Sequence, residues 1–119
     1  MLFKSLLALI AATTVASGAL HTELKSSMPA KNSSGASPAR VTLTFTEDVN
    51  VAVSAMAILA SDSTEVAKLI VKATSDAETI EGAVIKPLTA GKYLVRYRTA
   101  STDGHAVRGS FGFTVAAKP

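Results

Sequence analysis

The chain has 119 residues, which suits a single domain, and a formal net charge of +3. This excess is small and its lysines and arginines are scattered along the sequence, which argues against a nucleic-acid-binding surface. There is no cysteine. Disulfides therefore cannot stabilise the domain, and thiolates cannot bind a structural zinc ion or an iron–sulfur cluster.

The first 20 residues have the three parts of a secretory leader. Lys4 supplies the positive charge, residues 6–12 form a short apolar run, and residues 16–19 are small enough for a cleavage site. An apolar run of this length is too short to cross a bilayer, which takes about 20 residues. We therefore predict a signal peptide over residues 1–20 and one exported, soluble domain over residues 21–119, with an uncleaved anchor as the alternative.

The rest of the sequence has the period-two alternation of an all-β domain. The clearest strand covers residues 40–46, where Val41, Leu43 and Phe45 share one face. The other six predicted strands cover residues 21–28, 49–60, 66–72, 79–85, 93–98 and 107–115. About seven short strands without an amphipathic helix indicate a two-sheet β-sandwich of immunoglobulin-like size.

Three stretches add detail to this assignment. Residues 29–38 are rich in Pro, Asn, Ser and Gly, and they are predicted to form a loop. Residues 49–60 are assigned to a strand because the valines at their start alternate, although their alanines would also suit a helix. The turn before Tyr93 resembles the tyrosine corner of sandwich domains, so Tyr93 is predicted to be structural.

The only two histidines are His21, at the start of the predicted mature chain, and His105. Asp103 precedes His105 by two residues, so both side chains can point the same way from an extended backbone, and Gly104 lets that backbone bend. Nitrogen and carboxylate donors without a thiolate favour Cu(II), and they fit zinc less selectively. Asp-Gly is also a common turn pair. Taken alone, this loop is most simply a turn. When the histidine at the predicted N-terminus is considered with it, a plain turn and a metal site become evenly matched interpretations.

Several stretches resemble the CopC family of periplasmic copper-binding proteins. They are residues 21–30 (HTELKSSMPA), 41–49 (VTLTFTEDV), 88–93 (LTAGKY), 101–105 (STDGH) and 109–113 (GSFGF). These stretches occur in the same order as in the family and cover nearly the whole predicted mature chain. The resemblance implies a seven-stranded Greek-key β-sandwich or barrel, Ig-like in size and cupredoxin-like in appearance, that binds Cu(II) in the periplasm.

The resemblance also implies a ligand set. Family members bind Cu(II) through the amine and ring of an N-terminal histidine and through the Asp and His of the Asp-Gly-His motif. These roles fall on His21, Asp103 and His105. Glu47, which ends the second predicted strand, matches a glutamate at the same site, and it is expected to be a weak ligand or a group that orients the ligands.

The chain departs from the family pattern in two respects. Some members carry a methionine-rich Cu(I) loop, whereas the predicted mature chain has only Met28 and Met56. The family usually has a small residue just before the histidine, and here that residue is Leu20. Cleavage after Ala19 instead of after Leu20 would give the terminal amine to Leu20, and the site would then recruit a backbone amide.

From these features we predict a periplasmic Cu(II) carrier or buffer in copper homeostasis or resistance that is not an enzyme. As a monomer it would exchange copper with an inner-membrane copper transporter or another periplasmic copper protein, with no nucleic-acid partner. One alternative is a copper monooxygenase, which also uses an N-terminal histidine on a β-sandwich. However, Asp103 would occupy a position that oxygen needs, and the five aromatic residues outside the predicted leader leave no flat sugar-binding face. The other alternative is a metal-free Ig-like interaction module.

Overall fold

The computed structural model describes residues 21–118. The predicted signal peptide, residues 1–20, lies outside the described residues and stays a prediction. The strands are β1 (Leu24–Met28), β2 (Ser34–Gly35), β3 (Arg40–Phe45), β4 (Ala55–Ala60), β5 (Glu65–Leu69), β6 (Val71–Ala73), β7 (Thr79–Ala83), β8 (Gly91–Ala100) and β9 (Ala106–Val115). Within residues 21–118, the one helical element is a 3-10 turn over Val51–Val53, and no helix is long and apolar enough to cross a membrane.

The strands form two sheets. One sheet has four strands in the order β1-β3-β7-β6, and the other has five in the order β2-β9-β8-β4-β5. Neighbouring strands are antiparallel except β2 and β9, which are parallel. The predicted all-β, two-sheet class is therefore confirmed, although the described part of the chain has nine strands where about seven were expected.

Three predicted segments differ from the observed strands. The loop predicted over residues 29–38 contains β2, in which Ser34 pairs with Thr114 of β9. The strand predicted over residues 49–60 begins with the 3-10 turn, because the side chain of Asn50 accepts a hydrogen bond from the backbone of Ala52 at 3.0 Å and caps that turn. The backbone becomes extended only after this capped turn.

The strand predicted over residues 66–72 is divided between the two sheets. The chain leaves β5 in the five-stranded sheet and enters β6 in the four-stranded sheet at Ile70. Leu69 is buried, whereas Ile70 is 77% exposed. The sequence predicts one apolar strand because Leu69 of β5 is buried and Val71 of β6 packs on the core as a partly buried residue, each from a different sheet.

The core lies between the inward faces of the two sheets. Val41, Leu43 and Phe45 have no exposed surface, which confirms the alternation predicted for β3. The Phe45 ring meets the Tyr97 ring edge-on with their centroids 5.8 Å apart. The other buried residues of this core are Val49, Met56, Ile58, Leu69, Ile80, Val84, Tyr93, Val95, Phe111, Phe113 and Val115.

Tyr93 has the structural role that the sequence predicts. Its side chain is 8% exposed, and its hydroxyl donates a hydrogen bond to the backbone carbonyl of Thr89 at 2.7 Å. Its ring stacks on Phe113 of β9 with the centroids 5.7 Å apart. The hydrogen bond from Tyr93 to Thr89 fixes the turn that precedes the long β8–β9 hairpin.

The β8–β9 hairpin sets the position of the Asp-Gly-His motif. Its strands stay in register from Gly91 opposite Val115 to Ala100 opposite Ala106. The loop between them therefore projects from one end of the five-stranded sheet. A bridge between Val49 and Ser101 joins that loop to the chain that follows β3 in the other sheet.

Candidate metal centre

The loop over residues 101–105 is a tight hairpin connection. The backbone N–H of Ser101 donates to the carbonyl of His105 at 2.9 Å, and that of Gly104 donates to the carbonyl of Ser101 at 2.8 Å. Gly104 has φ of 96°, a conformation that glycine adopts without steric cost. The motif is thus a turn, and this turn brings an acid and an imidazole together.

Ser101 holds the side chain of Asp103 and the backbone of His105. It is 3% exposed, its hydroxyl donates to Oδ1 of Asp103, and its Oγ accepts from the backbone N–H of His105 at 3.1 Å. A serine hydroxyl can do both because it offers one proton and two lone pairs. Nδ1 of His105 lies 3.2 Å from Oδ1 of Asp103.

The carboxyl group of Asp103 is held in its anionic form. The hydrogen bond from Ser101 is the main cause that lowers the pKa of Asp103, and attraction to His105 lowers it further. An ionised carboxylate is the form that binds a metal cation. The motif therefore offers an anionic oxygen ligand beside an imidazole nitrogen.

Glu47 completes a group of three potential ligands. One ligand atom from each of Glu47, Asp103 and His105 lies within 4.8 Å of the other two. Donors bound to one ion at about 2.0–2.2 Å lie no more than about 4.4 Å apart, so small side-chain rotations would bring all three onto a single ion. We call Glu47, Asp103 and His105 the ligand cluster.

The backbone brings Glu47 to this point from the other sheet. Glu47 lies two residues beyond the end of β3, and the carbonyl of the next residue, Asp48, accepts a hydrogen bond from the backbone of Thr102 at 3.1 Å. The backbone of Asn50 donates to the carbonyl of Ala100 at 2.9 Å. The ligand cluster thus spans the two sheets at one end of the sandwich.

His21 lies beside the ligand cluster but not in it. The side chain of His21 is exposed, and it is not among the three groups that lie within 4.8 Å of one another. Its neighbour Thr22 is 6% exposed and donates a hydroxyl hydrogen bond to Oε1 of Glu47. Because adjacent Cα atoms are about 3.8 Å apart, this contact holds residue 21 close to the cluster.

Three of the four predicted ligand residues, Glu47, Asp103 and His105, lie together in the ligand cluster, but the sequence did not predict two residues that hold this cluster. Ser101 and Thr22 are buried polar residues whose hydroxyls fix Asp103 and Glu47. The only sign of them in the sequence is that each lies within two residues of a predicted ligand. Nothing in composition or periodicity marks such a hydroxyl as buried.

The fold and the ligand cluster define a class: a two-sheet β-sandwich with an exposed imidazole–carboxylate site at one end. The family model described as CopC domain matches residues 24–116. The chain belongs to the CopC family, which confirms the resemblance found in its sequence motifs.

Two curated relatives carry the name copper resistance protein C. The protein from Pseudomonas syringae pv. tomato is 37% identical over 101 residues, which are 80% of this chain and 80% of the relative. The protein from Escherichia coli is 32% identical over 102 residues, which are 80% of this chain and 81% of the relative.

Two solved structures share the fold. The crystal structure of CopC from Methylosinus trichosporium OB3b matches with a TM-score of 0.77 and 32% identity over 83% of this chain and 97% of that one. PcoC from Escherichia coli, described as a methionine-rich copper resistance protein, matches with a TM-score of 0.67 and 31% identity over 80% of this chain and 98% of that one.

Proposed function

We propose that this chain binds one Cu(II) ion at Glu47, Asp103 and His105, with His21 as a further ligand, and carries or buffers copper in the periplasm. The observation that carries the proposal is the ligand cluster, three donor groups within 4.8 Å of one another in a member of the CopC family. Relatives named copper resistance protein C support copper as the metal.

The donor chemistry supports Cu(II) over other metals. Imidazole and carboxylate ligands suit a divalent ion, and copper is the divalent ion that such sites bind most tightly. A Cu(I) site would use soft thioether ligands. Met56 is 2% exposed in the core, and Met28 lies on β1, so the described residues do not offer a group of methionines for Cu(I).

The position of His21 supports its role as a fourth ligand. The hydrogen bond from Thr22 to Glu47 keeps residue 21 next to the ligand cluster. If the mature chain begins at His21, its terminal amine and ring can bind together and close a chelate. If cleavage occurs after Ala19, the amine belongs to Leu20, and His21 contributes its ring and its backbone amide.

Exposure of two residues of the ligand cluster supports exchange of copper with a partner. The side chains of Asp103 and His105 are 64% and 59% exposed. A partner protein can reach such ligands and exchange them one at a time. The relatives are named as resistance proteins, which favours neither the copper monooxygenase nor the metal-free module.

We therefore propose that the protein is not an enzyme, and that it exchanges copper with an inner-membrane copper transporter or another periplasmic copper protein. It acts as a monomer after removal of its signal peptide. This role fits either copper resistance or copper uptake.

The test is a Cu(II) titration of the mature protein against a competing chelator. We expect one Cu(II) per chain, and an affinity that falls by at least about 100-fold in His105→Ala, since the loss of a group that only orients ligands costs about 10–100-fold. Asp103→Asn should also weaken binding. Its matched control is Asp62→Asn, an exposed turn aspartate whose Oδ1 accepts from the backbone of Thr64. An affinity unchanged in His105→Ala would contradict the proposal.

A further inference from the structure

A basic groove of about 700 Å³ runs along the outer face of the five-stranded sheet. We call it the arginine groove. Its cationic lining residues are Lys68, Arg96, Arg98 and Arg108. Glu65 is the only carboxylate in the lining, so the groove has a net charge of +3, equal to the formal excess of the whole chain. That formal excess includes Lys4, so the rest of the predicted mature chain has a net charge of −1.

The pairing of β8 with β9 sets two of these arginines against each other. Arg98 and Arg108 are direct cross-strand partners, and both are exposed. Arg96 has an ion pair with Glu65 at 3.4 Å, whereas Arg98 and Arg108 have none with any residue in the range 21–118. Like charges directly opposite each other destabilise a sheet, and a bound anion would relieve this repulsion.

The spacing of the arginines matches an extended acidic peptide. Arg96 and Arg98 are two residues apart on one face of β8, so their Cα atoms are about 6.8 Å apart. Alternate carboxylates of an extended peptide have the same repeat, and each can accept two parallel hydrogen bonds from a guanidinium group. The exposed pair between Arg96 and Glu65 is weak enough to exchange, since such pairs contribute little.

The floor of the groove leaves space for a peptide backbone. Ala55 lies opposite Arg98, and Ala57 lies between Arg96 and Lys68 in the register of β4 with its two neighbours. Small side chains between long cations give the groove its depth.

We propose that the arginine groove binds an extended acidic segment of a partner protein. Alternate carboxylates of that segment pair with Arg96 and Arg98, and Arg108 shares the carboxylate held by Arg98. β8 runs from Arg98 into the loop with His105, so the partner is held beside the ligand cluster. The groove shares no residue with that cluster, and only its use in copper exchange rests on the proposed function.

The test measures binding of a fluorescein-labelled peptide of four Glu-Thr repeats to the copper-free mature protein. We expect the double variant Arg98→Gln/Arg108→Gln to bind at least about tenfold more weakly, because two charge-assisted contacts are lost. The matched control Lys72→Gln/Lys86→Gln removes the same charge from exposed sites outside the groove. This control should change the affinity by no more than about twofold, since screened charges at a distance contribute little.

Thermal unfolding separates lost binding from lost folding. The double arginine variant should unfold at the same temperature as the wild type or higher, because its opposed charges are gone. It should still bind one Cu(II), and His105→Ala should still bind the peptide. Failure of the groove and failure of the copper site are therefore distinguishable.

Four results would overturn the proposal. These are no peptide binding, equal weakening in the arginine and lysine variants, competition by free glutarate or phosphate at the same carboxylate or phosphate concentration, and tighter binding of single-stranded DNA or of phosphatidylglycerol vesicles than of the peptide. The second result would indicate general charge attraction, and the third a small-anion site. The last would assign the groove to another class of partner.

Discussion

Ser101 links the two residues of the hairpin loop that we propose as copper ligands. Its hydroxyl contacts both Asp103 and the backbone of His105, and it is buried at the base of the loop. The same hydrogen bond is the main reason that the pKa of Asp103 is lowered. One residue therefore fixes both the geometry and the charge of the motif.

Replacing Ser101 by alanine should weaken copper binding without unfolding the domain. We expect the affinity for Cu(II) to fall by about 10–100-fold, the usual cost of losing a group that orients metal ligands. A chelator-competition titration measures this change. Ser110→Ala, at an exposed position of β9 outside the ligand cluster, is the control. Equal affinities for Ser101→Ala and wild type would show that Asp103 and His105 do not depend on this hydroxyl.

At the residue scale, the sequence predicts some parts of the site and not others. Asp103 and His105 could be paired from their spacing, because alternate residues of an extended chain share a face. The proximity of Glu47 depends on the bridge between Val49 and Ser101, a contact between distant parts of the chain. The resemblance to the CopC family suggested this proximity, whereas periodicity alone could not.

At the scale of elements, the crossover between β5 and β6 depends on a glycine of β7. An ideal Cβ built on Gly82 would lie 2.9 Å from Cβ of Leu69 and 3.4 Å from the carbonyl oxygen of Ile70. The first distance is too short for two carbon atoms in contact. Gly82 therefore allows the chain to change sheets directly above β7.

Gly82→Ala should destabilise the domain. We expect a loss of about 1–3 kcal/mol in the free energy of unfolding, the usual cost of overpacking a tight site. Urea denaturation followed by circular dichroism measures it. Gly35→Ala is the matched control, since a Cβ on Gly35 meets no atom within 4 Å and its φ is not in the left-handed region. A Gly82→Ala domain as stable as the control would mean that the crossover can shift to accept a methyl group.

Strands could be predicted from the sequence where one face of the strand is buried in the core and the other is not. β3 alternates cleanly between buried and partly exposed residues, and its sequence has that pattern. The two residues of β2 lie in a loop-like sequence. The sequence does not mark them as a strand, because their pairing with β9 uses backbone groups that any residue has. The change of sheet at Ile70 has no local signal because it depends on packing against β7.

At the scale of the molecule, the ligand cluster joins the two sheets. Glu47 follows β3 of the four-stranded sheet, and Asp103 and His105 extend from the five-stranded sheet. Thr22, which precedes β1, adds a third segment through its contact with Glu47. A bound ion would therefore add a further connection between the two sheets at this end of the sandwich.

The fold also gathers charges that are dispersed in the sequence. Three of the four arginines lie on one face of one sheet, on β8 and β9. The net charge of +3 does not indicate this clustering, because it is a sum over the whole chain. Asp103 and His105 of the ligand cluster therefore lie on the same hairpin as the three arginines of the groove.

The most direct test of the copper proposal is native mass spectrometry of the mature protein after one equivalent of Cu(II) and desalting. We predict a chain that begins at His21 or Leu20 and retains one copper ion, and a His105→Ala variant that retains none. The same spectrum gives the cleavage point, and thus which residue supplies the terminal amine. A wild-type protein that emerges without copper, or a variant that keeps it equally well, would contradict the assignment of copper to this site.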